Sequence, residues 1–355
     1  MAAAMPVLPQ GSVAVLMGGT ASERDISLQS GAAVLEALTD AGMDCVGVDT
    51  AEDLVARLGE LKPAFAFIAV HGAGGEDGRL QALLEFMRIP YSGSGVLASA
   101  LAMDKLRSKQ LWRGIGLTTP DYCVFDANEA SDSAYFERTM TLLGNRVFVK
   151  PVAEGSSFGM SLVHSADELR IACNAAEKFG QTVMIERAIV GPEYTVAILG
   201  ERCLPSIGIE TGRGFYDFDA KYVDDSTRFL VPSGLEPADE QRLRKLCKTA
   251  FDALGCAGWG RVDVMRCADS GDFYLLEVNT VPGMTDHSLV PMAARAEGLE
   301  FADLLKSIIA AGMLASTCDA FHLATGRCSS ICTRKVPGHS RCTTARRTQG
   351  SDSSA

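Results

Sequence analysis

Two short segments late in the sequence, "GWGRVDVMR" and "DFYLLEVN", carry its densest chemistry. Side chains alternate along a strand, so Arg261 and Asp263 share a face of the first, and Glu277 and Asn279 a face of the second. The interleaved Val262, Val264, Leu276 and Val278 are apolar. Two such strands side by side would gather Asp, Glu and Asn oxygens at the edge of an apolar sheet. Grouped carboxylates are costly to bury without a partner. Mg²⁺ held by one or two carboxylates and by phosphate oxygens suits that donor set. An exposed strand end with a salt bridge from Arg261 suits it as well, and both readings are open on these residues alone.

The segment that follows, "TVPGMTDHSLVPMAARAEG", turns at Pro282-Gly283 and places Ser288 near a helix start. Unpaired N–H groups and the helix dipole favour an anion there, although Ser also caps helices with no ligand present. Earlier, "KPVAEGSSFGMS" puts Lys150 at the end of an apolar run, ahead of its glycines and serines. No Gly-Lys-Ser/Thr follows, so this is not the Walker order. A lysine at a strand end can still meet a phosphate as a point charge, with the loop closing over it through backbone N–H groups. In "MIERAIVGPEYTV", Glu186 ends a strand and Glu193 follows a Gly-Pro turn, where carboxylates can hold an adenine amino group or ribose hydroxyls.

These residues need elements to position them. "SVAVLMGG", "CVGVD" and "AFAFIAV" read as buried strands, and "SLQSGAAVLEALTDAG" as a helix with Val34, Leu35 and Leu38 inward and Gly42 as its stop. With "AEDLVARL" as a further helix, this is an open parallel α/β sheet, whose ligands sit beyond the carboxyl ends of its strands. The glycine-rich "GGTASERD", "HGAGGEDG" and "SGSGVLAS" fall at those ends and form one rim. One helix, "ALAMDKLRSKQLWRGIG", leads into an α+β unit with strands "RVFVKP", "MSLVHS", "TVMIER" and "YTVAIL". A third stretch holds "PADEQRLRKLCKTAFDALG", the two chemical strands and a last helix, "FADLLKSIIAAGML".

The chain of 355 residues is long enough for two or three domains, and 47% hydrophobic with 22% charged residues is a globular balance. A net charge of −11 argues against nucleic acid, and no apolar run approaches membrane-spanning length. The opening "MAAAMPVLPQG" has neither a basic n-region nor a long apolar h-region, and seven cysteines lie singly between Cys45 and Cys267. A reduced, cytoplasmic protein is the expectation. From Ser316 onward the sequence has six Lys/Arg against two Asp and little periodicity, which predicts a disordered basic tail over 316–355. Cys328, Cys332, His339 and Cys342 there match none of the common zinc spacings.

Taken in order, "GGTASERDISLQSG", "HGAGGEDGRLQ", "YSGSGVLASALAMDK", "VKPVAEGSSFGMS", "GPEYTVAIL", "FYDFDAKYVDD", "GWGRVDVM" and "LLEVNTVPGMTDHSLVPMAA" resemble the D-alanine–D-alanine ligases of the ATP-grasp superfamily. The resemblance runs over nearly all of residues 12–314. It implies an ATP-grasp fold: an N-terminal open parallel α/β domain (1–104), a central lid domain (105–190) and a C-terminal catalytic domain (191–315). The implied reaction joins two D-alanines through a D-alanyl phosphate, releasing ADP and phosphate for peptidoglycan precursor synthesis. Two Mg²⁺ ions, with Mn²⁺ as a substitute, and a homodimer are also implied, with no nucleic acid and no membrane as partners.

Carried over by resemblance, Lys105 and Lys150 meet ATP phosphates, and Glu186, Ala188 and Glu193 lie at adenine and ribose. Asp263, Glu277 and Asn279 match the metal ligands. Arg261 and the Gly283 N–H stabilise the oxyanion. Glu23, linked to Ser156 and Tyr222, takes the first ammonium, with His71 near it. Lys221, Ser288 and the Leu289 N–H receive the second carboxylate. Tyr222 is associated with amine acceptors rather than D-lactate. Val281 stands where serine is common, and Ala188 where a bulkier residue is found. The runner-up readings are another ATP-grasp carboxylate–amine ligase or a D-alanyl-D-lactate ligase, and an ATP-binding regulator without turnover. An NAD site is excluded, because Gly-x-Gly-x-x-Gly is absent after "SVAVLM".

Overall fold

The computed structural model describes residues 8–128, 130, 134–155, 158–179, 182–211, 227–285 and 287–325, with side chains through 315. By contact the chain divides into two units, Met1–Ser316 and Thr317–Ala355. Three sheets lie in the first. Strands β1 (Val13–Met17), β2 (Cys45–Asp49) and β3 (Phe65–Ile68) are parallel in the order β2-β1-β3, as the alternation of strands and helices predicts. Helix α1 (Arg24–Asp40) buries Ser27, Ser30, Gly31, Val34 and Leu38, a stripe at helical spacing. Gly42 follows it with φ +81°, the left-handed conformation that ends a helix without strain. Helices α2 (Leu54–Leu61) and α3 (Arg79–Phe86) complete this part.

The stretch read as one helix is two, α4 (Val96–Met103) and α5 (Lys105–Gly114). Asp104 between them is extended, and its carboxylate caps α5 by accepting the Arg107 N–H. A capping aspartate in mid-sequence is the physical reason for the break. The break fixes Lys105 at the first position of α5, where its N–H donates to the Val152 carbonyl.

The second sheet is antiparallel in the order β4-β7-β5-β6, from β4 (Tyr122–Val124), β5 (Val147–Pro151), β6 (Ser161–Val163) and β7 (Val183–Arg187). Helices α6 (Tyr135–Leu143) and α7 (Ala166–Ala176) close its own core around Val147, Val149, Leu169 and Ile185. The third sheet contains β8 (Glu193–Leu199), β9 (Arg202–Cys203), β10 (Ile207–Glu210), β11 (Arg228–Leu230), β12 (Trp259–Arg266) and β13 (Phe273–Asn279). Its order is β11-β10-β8-β12-β13, with β9 on β8. Helix α8 (Pro237–Ala253) packs Leu243, Cys247 and Phe251 against Val262, Val264 and Val278. Helix α9 (Leu289–Ala296) and the start of α10 (Phe301–Thr325) share a core with the parallel sheet.

Helix α10 runs on to Thr325 rather than stopping at Leu314. Between Ala315 and Gly326 the sequence has no Gly or Pro to break it. The remaining basic segment, with Cys328, Cys332, His339 and Cys342, lies outside the described residues. The seven cysteines from Cys45 to Cys267 are free thiols. Among the described residues no helix is long and apolar enough to cross a membrane.

Candidate active site

The floor of the site is the pair β12 and β13. They run antiparallel with Arg261 opposite Asn279 and Asp263 opposite Glu277, so the four polar side chains predicted to meet do meet. Thr195 on β8 stands across from Asp263 on the other side. Arg261 grips Asp263 with two bonds, Nε to Oδ1 and Nη2 to Oδ2, each 2.8 Å. Thr195 Oγ1 donates to Asp263 Oδ1 at 2.7 Å, and Asn279 Nδ2 donates to Oδ2 at 3.0 Å. Glu277 pairs with Lys105 at 3.1 Å.

The alternation read from the sequence breaks at one place. The register shifts after Asp263, so that Val264 faces Leu275 while Asp263 faces Glu277. This bulge leaves Leu276 over, and Leu276 lines the same cavity as Glu277 instead of the α8 core, where Leu275 is fully buried. The bulge re-aims one apolar side chain into the site.

That cavity has a volume of about 460 Å³. Lys105, Lys150, Glu186, Ala188, Glu193, Asp263 and Glu277 all line it, with Phe148, Met160 and Met265 among its apolar walls. Burial disfavours charge on Lys105, but Glu277 and then Glu23 and Glu76 outweigh it and raise its pKa. Glu186 is buried at the end of β7, and each carboxylate oxygen carries a lysine. Lys150 holds Oε1 at 2.5 Å and Lys109 holds Oε2 at 2.6 Å. Burial alone would raise the Glu186 pKa, yet the two ammoniums outweigh it and hold the carboxyl below its usual range.

Lys109 was not among the residues singled out from sequence. It follows Lys105 by four positions, the spacing that puts both on one helix face, which is the signal that could have found it. Its own pKa is lowered to about 8, chiefly by burial.

Beside the cavity, Glu23 sits at the N-cap of α1 and is buried. The loop after Lys150 comes against it: a Cβ on Gly155 would stand 2.6 Å from Glu23 Oε2, so a larger residue there would push the Glu23 carboxylate aside. A second residue missed from sequence, Glu76, joins the rim to the turn after β13. Its Oε2 accepts from Gly72 N at 2.8 Å and its Oε1 from Val281 N at 3.1 Å. Burial and the neighbouring Glu23 carboxylate push the Glu76 pKa upward.

His71 is a strut across the same turn. A carbonyl only accepts, so Nδ1 carries the proton and donates to Val281 O at 2.8 Å. Nε2 then accepts the Ser30 hydroxyl at 2.9 Å, and Ser30 Oγ accepts the Met284 N–H at 3.2 Å. At Val281 both backbone groups serve the network while the side chain is buried in the core.

Burial lowers the His71 pKa from 6.5 to about 4. As pH falls below 6.5 the unfolded chain binds a proton that the folded one refuses until about 4, so folding stability is lost across that window. The full loss is about 3 kcal/mol. Urea unfolding across this range will show a weaker pH dependence for His71→Gln than for the unmodified chain; equal dependence contradicts the assignment.

Gly283 and Ser288 are brought together, since a Cβ on Gly283 would lie 2.9 Å from Ser288 Oγ. Ser288 is the N-cap of α9 but gives the helix no side-chain bond; its Oγ accepts the Thr285 N–H at 2.9 Å. Leu289 opens the helix and is buried. Ser156, Lys221 and Tyr222 lie outside the described residues. Among the described residues no three His, Cys, Asp or Glu side chains form a metal cluster. The oxygen donors at hand are the carboxylates of Asp263 and Glu277 and the Asn279 amide, hard ligands of the kind Mg²⁺ takes.

Comparison with known proteins gives the family. A family model described as "D-ala D-ala ligase C-terminus" matches residues 111–310, and one described as "D-ala D-ala ligase N-terminus" matches 49–94. A D-alanine–D-alanine ligase of Saccharophagus degradans is 52% identical over 300 residues, 84% of this chain and 94% of that protein. A D-alanine–D-alanine ligase B of Pseudomonas syringae is 54% identical over 300 residues, covering 84% and 92%. Among solved structures, the D-alanine–D-alanine ligase of Bacillus anthracis complexed with ATP superposes with a TM-score of 0.76 at 32% identity, covering 87% of this chain and all of that one. The VanG D-Ala:D-Ser ligase of Enterococcus faecalis gives 0.73 at 29% identity, covering 85% and 99%. With its fold, its lysine-lined cavity and relatives this similar over most of its length, the chain belongs to the D-alanine–D-alanine ligase family.

Proposed function

We propose that the protein joins two D-alanines to D-alanyl-D-alanine with ATP, as a step of cell-wall precursor synthesis. One observation carries the reading: a single cavity is lined by Lys105, Lys150, Asp263 and Glu277, and the loop that leaves Lys150 abuts Glu23. Cations for phosphate, carboxylates for a divalent ion and an anion for an ammonium thus adjoin one another.

A carboxylate is a poor acyl donor, so the first step supplies a leaving group. One oxygen of the first D-alanine carboxylate attacks the γ-phosphorus, the bond to the bridging oxygen breaks, and ADP departs. The amine of the second D-alanine then attacks the carbonyl carbon, loses a proton, and phosphate leaves. The chain's task is placement and charge stabilisation. Lys105 and Lys150 take phosphate charge, and Ala188 and Glu193 lie at the adenine and ribose. Glu186 stands at that end as the anchor of Lys150. Glu23, tied to Ser156 and Tyr222, holds the first ammonium, and His71 fixes the turn that carries Gly283. Arg261 and the Gly283 N–H stabilise the oxyanion, while Lys221, Ser288 and the Leu289 N–H receive the second carboxylate. Asp263, Glu277 and Asn279 would hold two Mg²⁺ ions, or Mn²⁺ in their place, and bound there the ions neutralise phosphate charge. We assign residues 1–104, 105–190 and 191–315 to the substrate, lid and catalytic domains of a cytoplasmic homodimer.

ADP release that requires both D-alanine and Mg²⁺ is the expected result. ATP hydrolysis that ignores D-alanine but responds to another amino acid overturns the substrate assignment.

A further inference from the structure

Lys109 on α5 is fully buried. Its ammonium meets Glu186 Oε2 at 2.6 Å, Thr119 Oγ1 at 2.8 Å and the Leu275 carbonyl at 3.3 Å. Two of these contacts are hydrogen bonds, to Thr119 Oγ1 and the Leu275 carbonyl, and the third is an ion pair with the buried carboxylate. Lys109 thereby ties α5 to β7 of the lid sheet and to β13 of the catalytic sheet. Lys150 is placed differently: it holds Glu186 Oε1 while its side chain reaches the cavity wall.

The Glu186 side chain is 1% exposed, so its carboxylate needs a cation whether or not a ligand is present. Were Lys150 its sole cation, an arriving phosphate would compete with Glu186 for that one ammonium. Each gain at the phosphate would be offset by a loss at the buried carboxylate. Lys109 removes the conflict, because Glu186 keeps a cation however Lys150 is shared. It also sets the local charge. Two ammoniums against one carboxylate leave a net positive charge facing phosphate, whereas Lys150 and Glu186 alone would be neutral.

We propose that Lys109 is a positioning residue for the nucleotide: it holds Glu186 in place and neutralised, which releases Lys150 to share its ammonium with a phosphate. The proposal rests on the reading of the cavity as the ATP site.

The test is a double-mutant cycle on the full chain, with Mg-ATP affinity measured by titration calorimetry and steady-state constants alongside. Lys109→Met should weaken ATP binding about tenfold or more, while kcat at saturating ATP and KM for D-alanine stay within about threefold. Adding Glu186→Gln to Lys109→Met should cost less ATP affinity than the product of the two single losses, because an amide needs no counter-ion, while Glu186→Gln alone gives the loss that belongs to its own place at the nucleotide. A merely structural Lys109 gives the opposite pattern, with losses that add and constants for both substrates moving together. ATP affinity of Lys109→Met within about twofold of the unmodified chain, or a double variant whose loss equals or exceeds the product of the two single losses, overturns the proposal. Should Lys109→Met fail to fold, the double variant is compared with Glu186→Gln alone: ATP affinity within about threefold of that single variant supports the proposal, and a further loss of about tenfold overturns it. Absence of ATP binding by the unmodified chain removes the nucleotide reading itself, and that result is in hand before any variant is made.

Discussion

Glu277→Gln is expected to lower kcat at least about a hundredfold and to raise the Mg²⁺ needed for half-maximal rate about tenfold. The substitution keeps the shape of the side chain and removes its charge. Glu277 stands directly across from Asp263 and pairs with Lys105, so it is the carboxylate through which the floor formed by β12 and β13 and the lysine-lined wall are joined. Its loss leaves Lys105 with less to hold it in the cavity and weakens the oxygen donor set at the same stroke. Asp263 does not make up the loss, because it already belongs to the same donor set and its two oxygens also take hydrogen bonds from Arg261, Thr195 and Asn279. Turnover close to normal, with an unchanged Mg²⁺ requirement, contradicts the metal assignment of this face.

Arg261→Met is expected to cost about a hundred- to a thousandfold in kcat, the range for removing a donor to a developing oxyanion. Two effects combine. The guanidinium offers five donors in a fixed plane, more than the two that Asp263 takes, so it can grip the aspartate and still face an acyl oxygen. Without it, Asp263 is a buried carboxylate that has lost its cation. Arg261→Lys keeps the charge but not the two-point grip, and should recover only part of the rate. Rate at saturating substrates separates the cases: equal activity for Arg261→Met and the unmodified chain removes Arg261 from the oxyanion role.

Much of this arrangement was legible in the sequence, for identifiable reasons. The parallel sheet follows from short β-branched strands alternating with amphipathic helices, and Val34 and Leu38 are buried as their spacing requires. The meeting of Arg261, Asp263, Glu277 and Asn279 follows from strand periodicity, once the two strands are neighbours. What periodicity does not encode is a register shift, and so the turning of Leu276 into the cavity was not visible. The break at Asp104 was hidden because aspartate within an otherwise helical stretch reads as a surface residue until its carboxylate is seen to cap the next helix. Lys109 and Glu76 were missed for a common reason. Charged residues are expected outside, and a buried one is recognised only when its partners, distant in sequence, are known. The roles at Val281 were hidden in the same way, since they belong to its backbone.

In the proposed reaction a D-alanine carboxylate is activated by phosphorylation and then captured by a second D-alanine. D-alanine labelled with ¹⁸O in its carboxylate tests this most directly, with phosphate and peptide products analysed by mass. One labelled oxygen is expected to pass to inorganic phosphate for each D-alanyl-D-alanine formed. Dipeptide formed with no label in the phosphate, or labelled phosphate without dipeptide, would contradict it.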